Sequence, residues 1–511
     1  MAYRYGNRKQ MDLFPPSMED YVEADNPVRA YDAFVEALDF DKLGIALDEH
    51  KEGNPQYNPK AMLKLLMYGY SYGIRSSRKL ERAVHDNFSF VWLVEGLKPD
   101  HKTIAEFRRR NKESLKNVLK QCAQLCIKLD LITGNTLFID GTKIRANASI
   151  KNTWTEEKCQ KHLKNIDKRI EAILAECEAI DKEEQGQPSL VKLNMELKDK
   201  EALKSKINQI MKELKEDKKK STNTTDPECT RINSIQGSHA GYNAQSVVDE
   251  KHGLIVNTDV VSENNDLYQF ANRVEQSIET LGKKPDTACA DSGYATTEEL
   301  KKIDEEDIKV IVPSQRQASN REPGEFDKER FEYDPENDCY ICPEGNKLTY
   351  RGINKDNRSK TYKISKSSIC KQCCYFGKCT KSQKGRQVGR LIDEEIRLRL
   401  EAQYLKPESQ AIYKLRKEKV ELPFGHIKRN LGVMAFLLRG CAGAKTEISL
   451  LASCFNMVRM INMFGVQKVT RALMCFRSDR LLRLFQKTSN FAEFIYFYIK
   501  ERLFKLGCST V

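Results

Sequence analysis

Apolar residues recur three and four apart through the first 130 positions, the period of helices that bury one face. Asn26-Pro27 precedes VRAYDAFVEALDF, and Pro59 opens PKAMLKLLMYGYSYG at a first helical position, where a missing N–H costs nothing. IRSSRKLERAVHDN and TIAEFRRRN continue the helical pattern. At 136–147 the pattern changes: TLFIDGTKIRAN is rich in strand formers, with Asp-Gly in its middle. From 155 to 220 Lys and Glu crowd around Leu, Ile and Met at helical spacing, with a break at Gln185-Gly186-Gln187-Pro188. That pattern predicts two antiparallel helices, a helical hairpin. YNAQSVVD, a turn near Lys251-His252-Gly253 and LIVNTDVVS read as a strand pair. A helix from Asp266 to about Leu281, a short strand in TACADSGY, a Thr-capped helix in TTEELKKI and a strand in KVIVP follow. Residues 315–390 hold a cysteine cluster, and from Asp393 the chain is long, helical and basic.

These alternating strands and helices predict an α/β fold with a layered sheet, interrupted by the hairpin and by the cysteine segment. At 511 residues the chain exceeds one compact core. The expected organisation is a helical N-terminal domain over 1–130, a sheet domain over 131–465 and a helical tail over 466–511. The sheet domain would be interrupted at 155–222 and 315–390.

Charge adds a partner. The formal net charge is +13, with 31% of residues charged, so the basic excess is a bias suited to a polyanion. Arg75, Arg78, Lys79 and Arg82 are spaced to share one helix side, and Arg108-Arg109-Arg110 begin a second basic face. Several basic faces on short helices suit DNA contact in the manner of a helix-turn-helix, with a solvated surface as the alternative. No segment approaches the roughly 18 continuous apolar residues a membrane helix needs, so no membrane partner is expected. MAYRYGNRKQMDLFPP lacks the apolar core of a signal peptide, and a cytoplasmic location is expected.

Two aspartates end short apolar runs. Asp140 follows Thr136-Leu-Phe-Ile and precedes Gly141; Asp291 follows Thr287-Ala-Cys-Ala and precedes Ser-Gly. Taken singly, each reads as a turn residue. Taken together, carboxylates at the ends of neighbouring strands can converge on divalent metal. Hard Mg²⁺ takes carboxylate oxygens, and a pair of ions about 3.5–4 Å apart suits phosphodiester chemistry. A third carboxylate stands in Tyr413-Lys-Leu-Arg416-Lys417-Glu418-Lys-Val-Glu421-Leu-Pro423-Phe-Gly425-His426-Ile-Lys428. Glu421 and Lys428 are two turns apart and share a helix face if the helix continues, although Pro423 and Gly425 predict a kink. Glu418, one turn upstream, competes with Glu421.

With these residues in view, the chain resembles bacterial insertion-sequence transposases of the Asp-Asp-Glu type with an RNase-H-like core and a Tyr-Arg-Glu-Lys signature. IDGTKIRANAS, GYNAQSVVDEKHGLIV, ADSGY and VELPFGHIKRNLG carry the resemblance, with NPVRAYDAF, YGIRSSRKLERA and PDHKTIAEFRRRN near the N-terminus. The resemblance implies that Asp140, Asp291 and Glu421 hold two Mg²⁺ or Mn²⁺ ions. It implies that Tyr413, Arg416 and Lys428 meet phosphates of the transposon end. The usual signature leaves three residues between Arg and Glu; Arg416 leaves four, so Arg416 and Lys417 both stand for that role. It further implies terminal inverted repeats and target DNA as partners, 3′-OH strand transfer and a homodimer on paired ends. The rival readings are a DNA-binding protein without catalysis, such as a domesticated transposase, and a metal-dependent nuclease on the same core.

Of 16 cysteines, six lie between Cys339 and Cys379. Cys339-x2-Cys342 and Cys370-x2-Cys373 have the spacing of a zinc ribbon, with Cys373, Cys374 and Cys379 in competition. A structural Zn²⁺ is expected, against a set of reduced thiols without metal. His426 reads as structural, and Trp154 as a packing residue before a base-stacking one.

Overall fold

The computed structural model describes residues 17–47, 56–182, 188–216, 221–234, 237–319, 322–354 and 358–487. The break at 185–187 and the aromatic tail FAEFIYFYIKERLF lie outside the described residues. Two compact units form, and the chain passes between them more than once. The first comprises Met1–Thr133, Gly141–Asn264 and Val420–Val511; the second comprises Gly134–Asp140 and Asn265–Lys419.

In the first unit the expected N-terminal helices are present, among them Val28–Ala37, Pro59–Ser71, Ser77–Asp86, His101–Arg110 and Val118–Lys128. Their starts are chemically marked. Asn58 accepts from Lys60 N at 2.8 Å ahead of Pro59, and Asp100 accepts from Thr103 N at 2.7 Å. The apolar faces close around the helix Gly440–Phe464, most of which is buried. Its Ser449 hydroxyl accepts from Leu119 N, and its Asn456 bridges to Ile255 N at 2.8 Å and Ile255 O at 2.9 Å. A core polar residue thus ties this helix to a strand.

Strand β1 spans Thr136–Arg145. The helical hairpin is realised as Glu156–Lys182 and Pro188–Glu216, packed on Cys159, Ile166, Ile207, Ile210 and Leu214. A clasp of two short strands, β2 (Thr153–Trp154) and β3 (Thr222–Asn223), closes its base. Trp154 packs against the hairpin core and His162, which accounts for it without any base. Then come β4 (Thr230–Ser234), β5 (Gly237–Asp249) and β6 (Ile255–Val261), with β5 antiparallel to both others.

The second unit adds β7 (Thr287–Cys289) and β8 (Lys309–Ile311), with β1, β7 and β8 running parallel. The mixed sheet has the order β4-β5-β1-β7-β8, with β6 on β5. The chain is therefore mixed α/β with a helical N-terminal region. Residues 332–391 form a separate antiparallel sheet of β9 (Glu332–Asp334), β10 (Cys339–Ile341), β11 (Lys347–Ile353), β12 (Ser359–Ile364) and β13 (Gln387–Leu391). It has its own core of Phe331, Tyr340, Leu348, Tyr362, Ile364 and Val388. The cysteine segment is thus a small packed module, more than a pair of knuckles.

Two expected DNA contacts are absorbed by the first unit's interior. Arg75 precedes the helix Ser77–Asp86 and does not lie on it. Its Nη1 donates to Glu447 Oε1 at 2.6 Å and to Ala435 O at 3.0 Å; Glu447 is fully buried. Burial pushes the Glu447 carboxyl up, and Arg75 opposes that shift. Arg108 is likewise buried, donating to Tyr70 Oη, to Arg75 O and to the Ser77 hydroxyl. Arginine at these positions supplies donors that buried acceptors require. Replacing Arg75 by Ala leaves Glu447 buried without its cation, so chemical denaturation of that variant is expected to show a loss of roughly 3–5 kcal/mol. The exposed Arg78→Ala should stay within about 0.5 kcal/mol of the parent; equal stability for the two variants would contradict the buried role of Arg75.

Candidate active site

The register of β1 and β7 positions the two aspartates. Thr136 faces Thr287, Leu137 faces Ala288 and Phe138 faces Cys289. Asp140 lies two residues past Phe138, and Asp291 two past Cys289. Asp291 lies just past the end of β7, but Asp140 is mid-strand, since β1 runs on to Arg145 instead of ending at the aspartate; with side chains alternating along a strand, the register brings the two to one level on neighbouring parallel strands. Asp291 then caps the short turn Ser292–Tyr294, accepting from Gly293 N at 2.8 Å. Asp140 Oδ1 lies 3.5 Å from Arg416 Nη1, and the Arg416 guanidinium stands 5.6 Å from the Tyr413 ring centroid. Burial pushes the Cys289 thiol beneath this pair up to about 12; nearby Arg416 pulls the other way and Asp291 adds to the rise.

A third carboxylate of the same unit was missed in the sequence. A methyl carbon placed on Gly293 would stand 2.9 Å from Asp291 Oδ1 and 3.6 Å from Asp266 Oδ2, so these two side chains border one point. Tyr294 is buried beside them. Its hydroxyl is pushed well above the ordinary phenol range by burial, then by Asp266, Asp140 and Asp291, with Arg273 opposing. Arg273 is itself fully buried. Asp266 had read as the start of a helix; that helix is Phe270–Leu281, and Asp266 lies in the turn before it. The signal, Asn264-Asn265-Asp266 after a strand, was visible but indistinguishable from a capping turn.

The helix Pro407–Arg429 carries the remaining signature residues and runs through Pro423 without ending. Within the second unit its Arg416 meets Asp140, while Lys417 and Glu418 are solvent-exposed. Glu421, also exposed, falls in the first unit. There Lys428 Nζ donates to Thr142 Oγ1 at 2.5 Å, and Phe436 N donates to Arg145 O at 2.8 Å. Each half of the helix is thus tied to the part of β1 in its own unit. Burial holds the His426 imidazole below its usual range, and its ring packs edge-on to Phe455, a structural placement. Among the described residues, no three of His, Cys, Asp and Glu are gathered closely enough to hold a metal ion as placed. Of the N-terminal basic residues, Arg78, Lys79 and Arg109 are exposed, with Arg109 paired to Glu106 at 2.6 Å.

The cysteines group differently from their spacing. Cys342, Cys370, Cys373 and Cys379 line one cavity. Cys339 does not; it is buried in β10 with its sulfur 4.0 Å from Asp334 Oδ2. Cys342 is three positions further on, and an odd step along extended chain sends side chains to opposite faces. Cys379, the competing ligand, takes its place. Burial raises the Cys379 thiol, Arg386 lowers it, and Cys370, Cys342 and Cys373 raise it further. Cys374 is exposed.

Two aspartates on neighbouring strands of a mixed sheet, the first beside an arginine, form the candidate site, of the kind expected for metal-dependent phosphodiester chemistry. Family comparison makes it particular. Residues 16–110 match the model described as "Transposase domain (DUF772)", and residues 341–461 match "Transposase DDE domain". The chain carries the domains of a DDE transposase, an enzyme of DNA transposition. The second match takes in Glu421, Lys428 and the cavity cysteines and leaves Asp140 and Asp291 outside. No curated protein matches the sequence. A cryo-EM structure of a piggyBac transposase synaptic complex with hairpin DNA aligns at TM-score 0.32 and 10% identity, covering 89% of this chain and 82% of that one.

Gly293 gives a sharp test of the site. An added methyl leaves the backbone free but pushes the Asp291 carboxylate aside. Gly293→Ala should keep its melting temperature while Mn²⁺-dependent DNA cleavage falls about 100-fold, the scale of an ångström misplacement. Full cleavage would show that Asp291 needs no such position.

Proposed function

We propose that the protein mobilises an insertion sequence, with Asp140, Asp291 and Glu421 as the acidic triad. The observation that carries this reading is the β1–β7 register, which sets Asp140 and Asp291 side by side. The path β6-β5-β1-β7-β8, antiparallel between β5 and β6 and parallel from β1 to β8, supports an RNase-H-like core. The donor set is all carboxylate, which fits hard Mg²⁺ or Mn²⁺. Two such ions, when bound, supply an activated hydroxyl and neutralise the leaving oxygen.

The chain's own residues do the rest. Arg416, beside Asp140 and stacked on Tyr413, presents a guanidinium fork suited to a phosphate. Arg416, rather than exposed Lys417, fills the signature arginine role. Lys428, held at Thr142, adds a second cation two residues past Asp140. Lys417, Arg78, Lys79 and Arg109, all exposed, grip duplex phosphates, positioning the DNA without reading its sequence. Terminal inverted repeats and target DNA are the substrates, and two copies act on paired ends. A structural zinc in the cysteine module stands apart from this chemistry.

The test is incubation of the full chain with duplex DNA carrying the flanking terminal repeats and Mg²⁺ or Mn²⁺, with strand breaks mapped. Breaks at the repeat ends and joining to a second duplex are expected. Asp140→Asn, Asp291→Asn and Glu421→Gln should each bring cleavage to background while DNA binding survives. A variant that still cuts removes its residue from the triad, and cleavage without regard to the repeats would favour a nuclease.

A further inference from the structure

The cysteine module offers a second metal chemistry. Cys342 opens a turn in which Gly345 N donates to Cys342 O at 2.8 Å, with Gly345 at φ 77°, and Asn346 N donates to Cys342 Sγ at 3.3 Å. Cys370 lies near the end of the helix Ser367–Gln372, and Cys373 follows with its N–H on Cys370 O. Arg386 N, arriving from the loop before β13, donates to Cys370 Sγ at 3.4 Å. Cys379 returns to the cavity on a turn whose N–H bonds Tyr375 O at 2.9 Å.

Two backbone N–H groups aimed at sulfur form an outer shell of the kind that orients a metal-ligating side chain. Packing alone calls for no such donors: a buried cysteine that serves as a small hydrophobe needs only apolar neighbours. Leu348, Ile364 and Phe376 line the same cavity. The Arg386 side chain adds positive charge at the rim, donating to Cys379 O at 2.9 Å. As placed, the four sulfurs line the cavity wall without meeting at metal-ligating distance, and every described cysteine is free of disulfide.

We propose that Cys342, Cys370, Cys373 and Cys379 close around one tetrahedral Zn²⁺, a four-thiolate structural site, with Cys339 and Cys374 outside it. Four sulfur donors with no open position suit zinc and leave no place for a reacting water. The site fastens the turn after β10, the helix Ser367–Gln372 and the approach to β13 to one another. It is independent of the acidic triad, so either assignment can fail alone.

The experiment measures metal in the full chain, purified without chelator and without DNA. One zinc per chain is expected by elemental analysis. Cys342→Ser and Cys379→Ser should lose it, while Cys339→Ser and Cys374→Ser keep it. A second arm avoids variants that fail to fold. Maleimide labelling of the wild-type chain, read by mass spectrometry, should modify Cys374 readily and reach Cys342, Cys370, Cys373 and Cys379 only after a zinc chelator is added. Chain without zinc whose four thiols label equally with and without chelator overturns the site. Loss of zinc from Cys339→Ser overturns the ligand set, and stoichiometric iron in place of zinc overturns the metal.

Discussion

The parallel pairing of β1 with β7 is the constraint on which the candidate chemistry depends. Three hydrogen-bonded residue pairs set the register, and from it two aspartates 151 positions apart in the chain emerge at one level. A slip of one residue would send one carboxylate to the opposite face. Apolar residues guard the register: Leu137, Phe138 and Ile139 are wholly buried, as are Ala288, Cys289 and Ala290. Like charges set so close repel, and the structure answers with Arg416 at Asp140 and Arg273 near Tyr294.

Much of this was legible in the sequence because it rested on local pattern. An apolar run ending in Asp and followed by a small residue read as a strand end; that holds for Asp291, just past β7, but not for Asp140, which sits within β1. The Lys/Glu-rich hairpin was legible from its helical period. The clasp that seats it was not, since Thr153–Trp154 and Thr222–Asn223 are too short to show any period. Long-range partners were invisible. Arg75 looks like any surface arginine until Glu447, 372 positions away, is found buried against it. Arg108 is the same case, beside an Arg109 that does face solvent. Cys339 was misgrouped because motif spacing ignores strand alternation, which turns it away from Cys342. Asp266 was overlooked because an aspartate ahead of a helix has an ordinary explanation.

The basic excess is therefore divided by depth. Arg108 and Arg273 are buried, Arg75 is half-buried and tied to buried Glu447, and Arg78, Lys79, Arg109 and Lys417 are exposed. Net charge alone overstates the DNA-facing surface, because each buried arginine counts toward it. The same division holds for sulfur: Cys122, Cys126, Cys289 and Cys454 fill apolar space, while four others share a cavity, two of them with N–H donors turned toward their sulfurs. A residue's depth and partners, more than its type, separate scaffold from chemistry.

The proposed function requires Asp140, Asp291 and Glu421 to serve one pair of divalent ions. Fe²⁺ loaded in place of Mg²⁺, with ascorbate and peroxide, cuts a polypeptide backbone near the bound ion, and mass spectrometry maps the cuts. The account predicts cuts clustered beside Asp140, Asp291 and Glu421 together, suppressed by excess Mg²⁺. Cuts confined to one of those segments, or lying elsewhere and indifferent to Mg²⁺, would contradict it.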